Sequence, residues 1–273
     1  MEENMIRSMA LKARRHIMEM AYECGGNAHL GAGLSIVEIL SVLYGAVMKY
    51  DSKCPSDPER DRFILSKGHG VLGYYAVLAG AGFFPGEMLK TFQQNDTDLG
   101  AHPVMNMRLG IESSNGSLGQ GLSFAVGIAL AARMRGKSFN TYVLLGNGEC
   151  DEGSVWEAAM SASQFNLGNL TAIVDDNEMQ SDGESAGIMS LVPLEDKFRA
   201  FGWDAISVDG HDADELYSAL TACNSHEPRA VIARTVKGKG VSFMENKKDW
   251  HHNRLTKNLY EQAVADLEAV ADV

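Results

Sequence analysis

The chain has 273 residues, enough to bury a large core, and at 45% hydrophobic and 22% charged residues its composition is that of an ordinary globular protein. Its formal net charge of −12 argues against nucleic acids and anionic membranes as partners. No apolar run approaches the roughly 20 residues needed to span a bilayer, and the N-terminus lacks the apolar segment of a signal peptide.

The cysteines indicate a reducing compartment. They are scattered, with no C-x-x-C pair, which favours free thiols in a reducing environment. The four positions are Cys24, Cys54, Cys150 and Cys223. We therefore expect a cytoplasmic protein.

The first third of the chain is predicted to be helical. Ile6 to Tyr22 shows helical periodicity, and Ser35 with Glu38 forms a capping-box pattern for a helix that runs to about Met48. The next predicted elements are a short strand, Phe63–Leu65, and helices near Gly70–Ala81 and Pro85–Gln94.

From Gly119 onward, strands and helices alternate regularly. The predicted helices are Gln120–Met134, Gly153–Phe165, one around Leu194–Phe201, Ala213–Cys223 and one from Thr256. The strands between them are "TYVLLG", "LTAIVDD", "WDAISVD" and "RAVIARTV". This alternation predicts a parallel sheet with helices on both faces, in one α/β domain over residues 1–273.

Polar and glycine-rich segments follow the predicted strands. They read "SKGHG", "GNGE", "DDNEMQSDG", "DGHD" and "VKGKG". Ligands of open α/β sheets bind at the carboxyl ends of the strands. We therefore expect all five segments to contribute to a single site.

The segment "GNGECDEG" is typical of a phosphate-binding turn. A glycine turn from a strand into a helix lets the backbone approach a phosphate, and the helix N-terminus supplies free N–H groups. A strand-to-helix turn without a ligand gives the same pattern, but Asn177 at the end of the next strand favours a site. Neighbouring parallel strands lie about 5 Å apart, so Asn147 and Asn177 are expected to direct side-chain oxygens at one hard cation such as Mg²⁺.

These motifs together resemble the transketolase family of thiamine diphosphate enzymes. The similar segments are "DRFILSKGHG", "GSLGQGLSFAVGIALAARMRG", "EGSVWEAAMSASQFNLGNLTAIVDDN" and "RTVKGKGVSFMENKKDWHH", in the family's order. The resemblance covers nearly the whole chain but only the family's first domain, which binds the cofactor diphosphate. It therefore implies the N-terminal subunit of a split transketolase, whose partner chain carries the pyrimidine-binding domain in an α2β2 heterotetramer.

The resemblance also implies which residues form the site. It assigns cofactor binding to His69, Gly116, Ser117, Leu118, Gly148, Glu149, Asn177 and His251. It assigns metal binding, to Mg²⁺ or another divalent cation such as Ca²⁺ or Mn²⁺, to Asn147, Asn177 and the carbonyl of Met179. It assigns the substrate channel, and with it catalysis, to His29, His102 and His251.

Three further residues keep two interpretations. Lys237 and Lys239 are candidates for phosphate contacts. They could equally be ordinary lysines of a solvated loop. Glu152 matches a subunit-contact glutamate of the family, while a carboxylate at a helix start also complements the helix dipole.

The sequence departs from the family in four features. Asn147 replaces the usual aspartate of the G-D-G turn, and Glu178 stands where glycine is common. His29 lies in "AHL" rather than G-H-P, and His252 replaces a common glycine. The last two positions lie toward the substrate, so the sequence leaves open which sugars are used and whether they are phosphorylated.

The expected activity is transfer of a two-carbon ketol unit from a ketose to an aldose, with thiamine diphosphate and a divalent cation. Two alternatives remain. One is a related thiamine-dependent synthase with another donor, and the other is a non-catalytic regulatory subunit in which Asn147 marks a decayed metal site.

Overall fold

The computed structural model describes residues 3–222 and 226–271. Its strands are β1 (Asn27–Ala28), β2 (Arg62–Leu65), β3 (Thr141–Gly146), β4 (Leu170–Asp176), β5 (Asp204–Asp209), β6 (Arg229–Arg234) and β7 (Asn253–Arg254). Its α-helices are α1 (Glu3–Glu23), α2 (Leu30–Leu34), α3 (Val37–Val42), α4 (Val71–Gly80), α5 (Gln120–Met134), α6 (Gly153–Gln164), α7 (Ser185–Ile188), α8 (Leu194–Ala200), α9 (Ala213–Thr221) and α10 (Lys257–Ala271).

Five of these strands form one parallel sheet, in the order β2-β3-β4-β6-β5. Side chains alternate between its faces, as the two-residue period of a strand requires. Leu144, Ile173 and Val231 lie in a core with α1 to α4, α9 and α10. Their neighbours Val143 and Ala172 lie in a second core with α5, α6 and α8. The α/β prediction is confirmed, with helices on both faces.

Two predicted local features are wrong. Ser35 does not cap α3, which begins after Ile36, because its hydroxyl donates to the carbonyl of Ala32 (3.2 Å) and to Asp175 Oδ2 (2.8 Å). Pro85–Gln94 is not an α-helix but contains 3₁₀ turns over Gly86–Thr91. Its buried side chains, Leu89 and Phe92, are three residues apart, and that spacing matches a 3₁₀ turn.

The helix expected to run to about Met48 ends as an α-helix at Val42 and continues as a π-helical turn over Leu43–Val47. The other predicted helices and strands of the described residues are found within three residues of their expected ends. Cys223, the expected end of α9, lies outside the described residues. Among those that are described, none of the helices is long and apolar enough to cross a bilayer.

A small antiparallel ladder was not predicted. β1 pairs with β7 in the register Asn27↔Arg254 and Ala28↔Asn253. The two strands are far apart in sequence, and their pairing brings the segment before His29 against the segment after His252.

Candidate active site

Four of the five strand-end segments meet at the carboxyl edge of the sheet. Lys67, after β2, forms an ion pair with Asp175 of β4. Lys237, after β6, donates to the carbonyl of Gln180, in the segment after β4, at 3.2 Å. A Cβ added to Gly148, after β3, would lie 2.7 Å from Gln180 Cγ. The segments "SKGHG", "GNGE", "DDNEMQSDG" and "VKGKG" therefore form one site.

Five imidazoles cluster at this site. The ring centroid of His29 lies 5.6 Å from that of His69, 5.5 Å from His102, 5.5 Å from His251 and 4.4 Å from His252. His69 and His251 are 5.3 Å apart. The structure thus brings together the four predicted histidines and adds a fifth.

These histidines are held by segments that are anchored in the core or in the β1–β7 ladder. His29 directly follows β1, and His69 lies in a 3₁₀ turn after β2. Trp250, only 8% exposed, anchors the chain immediately before His251. The ring positions are therefore set by tertiary packing.

Burial keeps four of the imidazoles neutral. It lowers the pKa of His29 to about 4, with help from the charges of His252 and His102. Burial and Lys237 lower the pKa of His251 to about 3. Burial also lowers the pKa of His69, with Lys67 contributing, and that of His102. Near pH 7 these rings are thus neutral, and each can donate one hydrogen bond and accept another.

Lys237 is a buried cation at the base of the cluster. Its ammonium nitrogen lies 2.9 Å from Nδ1 of His251, and the whole residue is 2% exposed. Burial, then the charge of Lys67, lowers the pKa of Lys237 to about 8. The site therefore holds a positive charge that lacks a directly bonded carboxylate among the described residues.

Asp175 is a buried carboxylate that accepts hydrogen bonds from several side chains of the site. Its carboxylate accepts from Ser35, from Nδ2 of Asn177 (2.9 Å), from Lys67 and from Thr235. Burial alone would raise the pKa of Asp175, but Lys67 and the hydrogen bonds outweigh burial and lower it. Asp175 is therefore an ionised anchor that holds Asn177 in place.

The three predicted metal ligands present oxygen atoms. Nδ2 of Asn147 donates to Ser185 Oγ at 2.8 Å, and Nδ2 of Asn177 donates to Asp175, so both amides keep their oxygens for other partners. Oδ1 of Asn177 also accepts from the N–H of Met179 at 3.1 Å. Neither Oδ1 of Asn147 nor the carbonyl of Met179 has a hydrogen-bond partner among the described residues.

Within the described residues, no group of three or more His, Cys, Asp and Glu is placed to hold a metal ion. The predicted site instead consists of amide and carbonyl oxygens. Two carboxyl groups lie close by. Burial, then the charge of Glu178, raises the pKa of Asp176 to about 6, and Glu178 itself is exposed with φ 59°.

Glu149 connects the turn after β3 to the start of α5. Its carboxylate accepts from the N–H of Gly119 (2.8 Å), the N–H of Gly146 (3.0 Å) and the hydroxyl of Ser66. Burial raises the pKa of Glu149 despite these hydrogen bonds. It therefore fixes the loop that carries Gly116, Ser117 and Leu118, of which the first two are exposed and the third is half-buried.

The fifth segment, "DGHD", contacts the site through the backbone of "VKGKG", but its His211 belongs to a second cluster with Glu38 and Arg14 rather than to the five imidazoles. Nδ1 of His211 lies 2.9 Å from Glu38, and Nε2 accepts the N–H of Val236 at 2.8 Å. Glu38 is also bound by both terminal nitrogens of Arg14, at 2.5 and 2.8 Å. This cluster borders its own cavity of about 700 Å³.

Comparison with known proteins identifies the family. Residues 6–267 match the family described as transketolase, thiamine diphosphate binding domain. The chain belongs to this family.

Two relatives and one solved structure are similar to the chain. It is 47% identical over 245 residues to the 6-deoxy-6-sulfo-D-fructose transketolase subunit of Clostridium sp. (strain MSTE9), covering 89% of each. It is 42% identical over 256 residues to an apulose-4-phosphate transketolase subunit of Actinobacillus succinogenes, covering 93% of each. The transketolase of Campylobacter jejuni superposes with a TM-score of 0.90 at 29% identity, over 98% of this chain but 43% of that one.

These matches confirm the expected identity. The chain is a transketolase subunit of the N-terminal type, and hence part of a transferase. The word subunit in the names of its relatives implies a separate partner chain.

Three residues of this candidate site were not singled out from the sequence. Lys67 and Asp175 form a buried ion pair between residues 108 positions apart, which no local pattern indicates. His252 was noted only as a departure from the family. The signal that would have found Lys67 and Asp175 is their position at the ends of β2 and β4, inside segments that were already selected.

Proposed function

We propose that the chain, acting as one domain over residues 1–273, holds the diphosphate of thiamine diphosphate and a divalent cation and forms one wall of a ketose-binding channel. The observation that carries this proposal is the cluster of His29, His69, His102 and His251 beside Lys237. Neutral imidazoles suit sugar hydroxyls, and a buried ammonium suits a diphosphate.

The residues present fit this cofactor. Oxygen donors from Asn147, Asn177 and Met179 suit a hard cation such as Mg²⁺, which keeps phosphate and water ligands as well. Gly148 has no room for a side chain, because an added Cβ would lie 2.7 Å from Cγ of Gln180. When bound, thiamine diphosphate supplies the carbanion chemistry, while this chain supplies binding, orientation and proton transfer.

We place His69 beside the diphosphate and His29, His102 and His251 along the sugar. Gly116, Ser117 and Leu118 would meet the aminopyrimidine from a loop that Glu149 fixes. On this assignment Glu149 acts through the loop, since its carboxylate is already bound by three protein donors.

The donor is proposed to be a ketose with an anionic terminal group. Relatives of this chain are named for 6-deoxy-6-sulfo-D-fructose and for apulose 4-phosphate, which are an anionic sulfonate and an anionic phosphate ester.

The partner is proposed to carry the pyrimidine-binding domain, in an α2β2 assembly. Helices α5 and α6 expose large apolar side chains, an arrangement that supports contact with another chain. They are Phe124, Met134 and Met160, with Phe165 just after α6. Glu152, exposed at the start of α6, is available for such a contact. Cys24, Cys54 and Cys150 are free thiols, as the proposed cytoplasmic location requires.

Mixing experiments test the proposal. The isolated chain should be inactive, and addition of the partner subunit with thiamine diphosphate and Mg²⁺ should give ketol transfer from a ketose to an aldose. Robust turnover by the chain alone would contradict partner dependence. Failure of the assembled complex with every ketose would instead favour another donor or a non-catalytic role.

Two variants of the complex separate the roles of the histidines. His69→Ala should weaken binding of thiamine diphosphate, whereas His102→Ala should mainly lower kcat/KM for the sugar. Equal effects of both changes on both quantities would contradict the assignment.

A further inference from the structure

His252 is the fifth imidazole of the site and the one without an assigned role. Its ring centroid lies 4.4 Å from that of His29, with 32° between the ring planes. Unlike His29, His69, His102 and His251, which are half-buried, His252 is exposed. It therefore lies on the solvent side of His29.

The position of His252 is fixed by the fold. The ladder pairs Asn27 with Arg254 and Ala28 with Asn253, and continuing that antiparallel register places residue 252 opposite His29. Side chains directly opposite each other in such a pair have Cβ atoms about 4.5–5.5 Å apart. On the other side, buried Trp250 anchors the segment. The two rings are thus brought together by backbone geometry rather than by a mobile loop.

The segment around His252 carries local positive charge. In "KKDWHHNR", residues 247–254, Lys247, Lys248 and Arg254 outnumber the single acid, Asp249. This contrasts with the net charge of −12 for the whole chain. A polar group that enters from solvent toward His29 therefore meets an imidazole within a cationic segment.

We propose that His252 is a specificity-determining residue that binds the anionic terminal group, phosphate or sulfonate, of the ketose donor. This inference rests on the proposed function. On the proposed assignment His29, His102 and His251 lie along the buried part of the sugar, so the exposed His252, on the solvent side of His29, is positioned for its distal end.

The test uses the complex with the partner subunit, thiamine diphosphate and Mg²⁺. The donors are D-fructose 6-phosphate, 6-deoxy-6-sulfo-D-fructose and D-fructose, and the variants are His252→Ala and His252→Gln. Hydrogen bonds to charged groups contribute enough that His252→Ala should lower kcat/KM at least about tenfold for whichever anionic ketose is the donor, mainly through KM. D-fructose should change less than about twofold, and His252→Gln should restore part of the loss.

The controls make the outcome specific. His16→Ala, a histidine on α1 that pairs with Glu19, should leave all three donors unchanged. Binding of thiamine diphosphate should be the same in His252→Ala and wild type. The phosphate and sulfonate donors distinguish which anion is recognised.

Two results for His252→Ala would overturn the inference while the proposed function stands. One is an equal loss of kcat/KM for all three ketoses, and the other is no loss of kcat/KM for any of them. A wild-type complex that transfers a ketol unit from none of the three would instead overturn the proposed function, and this inference with it.

Discussion

Lys237 shows how one buried side chain can make cofactor binding depend on pH. Its ammonium contacts the carbonyl of Gln180 and the ring of His251, and burial with the nearby charge of Lys67 lowers its pKa to about 8. The protonated form exists below that pH and is lost above it. A diphosphate held by this charge should therefore bind less tightly as the pH rises.

We expect the Kd of thiamine diphosphate in the assembled complex to increase above about pH 8, by up to about tenfold per pH unit. Lys237→Met should weaken binding at pH 7 and remove this dependence. Calorimetric titration between pH 6.5 and pH 9.5 would measure both. If Lys237→Met kept the wild-type pH profile, the ammonium would have no role in binding the diphosphate.

The predicted ligands Asn147 and Asn177 allow a prediction about the affinity for the cation. An amide oxygen is a neutral ligand, and affinity for hard cations rises with ligand charge. Asn147→Asp should therefore tighten Mg²⁺ by about tenfold, or about 1.4 kcal/mol. The gain in Mg²⁺ affinity will be smaller if Glu178 already supplies a negative charge to the cation. It will be reversed if the carboxylates of Asp176 and Glu178 repel the carboxylate introduced by Asn147→Asp.

Asn177→Ala should weaken both the cation and the cofactor, because the cation joins protein to diphosphate. A Mg²⁺ titration monitored by cofactor binding measures both variants, with Asn95→Ala on an exposed loop as a control. Unchanged metal-dependent cofactor binding in Asn177→Ala would show that this asparagine is not a ligand.

At the scale of helices and strands, the sequence predicted what depends on local periodicity. β3, β4 and α5 lie where apolar patterns and glycine turns placed them. Ser35 shows the limit, because its hydroxyl binds Asp175, which is 140 residues away in the chain. The ladder of β1 with β7 was missed for the same reason, since a strand of two residues has no periodicity to detect.

In the site too, some residues could be predicted from local motifs, whereas others are placed by tertiary contacts. The histidines and asparagines were selected from motifs, and their segments do meet. Lys67 and Asp175 owe their positions to burial and to each other, and a lysine in a loop looks the same in sequence whether it is solvated or paired. "DGHD" followed a strand like the other segments, but β5 is the edge strand beyond β6, and His211 joins Glu38 while it contacts the site only through the backbone N–H of Val236.

The close contact of α5 with the end of β2 predicts a specific packing defect. A Cβ on Gly121 would lie 2.3 Å from Ser66 Oγ and 2.7 Å from its Cα. Gly121→Ala should therefore force α5 and Ser66 apart, which costs about 1–3 kcal/mol, and disturb the contacts of Glu149 with Ser66 and Gly119. Gly127→Ala in the same helix has nothing within 4 Å and should instead stabilise the fold slightly. Denaturant unfolding compares the two, and equal stabilities would contradict the tight contact.

For the whole molecule, the cluster of Arg14, Glu38 and His211 joins α1, α3 and the segment after β5. Nε of Arg14 also donates to the carbonyl of Lys239 at 3.1 Å, so the cluster supports the outer side of the segment that carries Lys237. Burial alone would raise the pKa of Glu38, but Arg14 and the hydrogen bond from His211 outweigh burial and lower it to about 2. The ionised carboxylate therefore stabilises the folded state.

The sign of the pH dependence follows from this lowered pKa. The stabilisation is fully present above the unfolded pKa of 4.5 and is lost as the pH falls toward the folded value of about 2. A shift of this size corresponds to about 3 kcal/mol, so Glu38→Gln should destabilise the chain by roughly that amount at pH 7. The gap between wild type and variant should narrow below pH 4.5, because protonation removes the same charge from the wild type. Urea unfolding of both proteins between pH 7 and pH 3.5 measures the gap, with Glu59→Gln, at an exposed ion pair, as the control for general acid effects. A gap that stayed constant over this range would mean that Glu38 stabilises the fold through its shape and hydrogen bonds rather than through its charge.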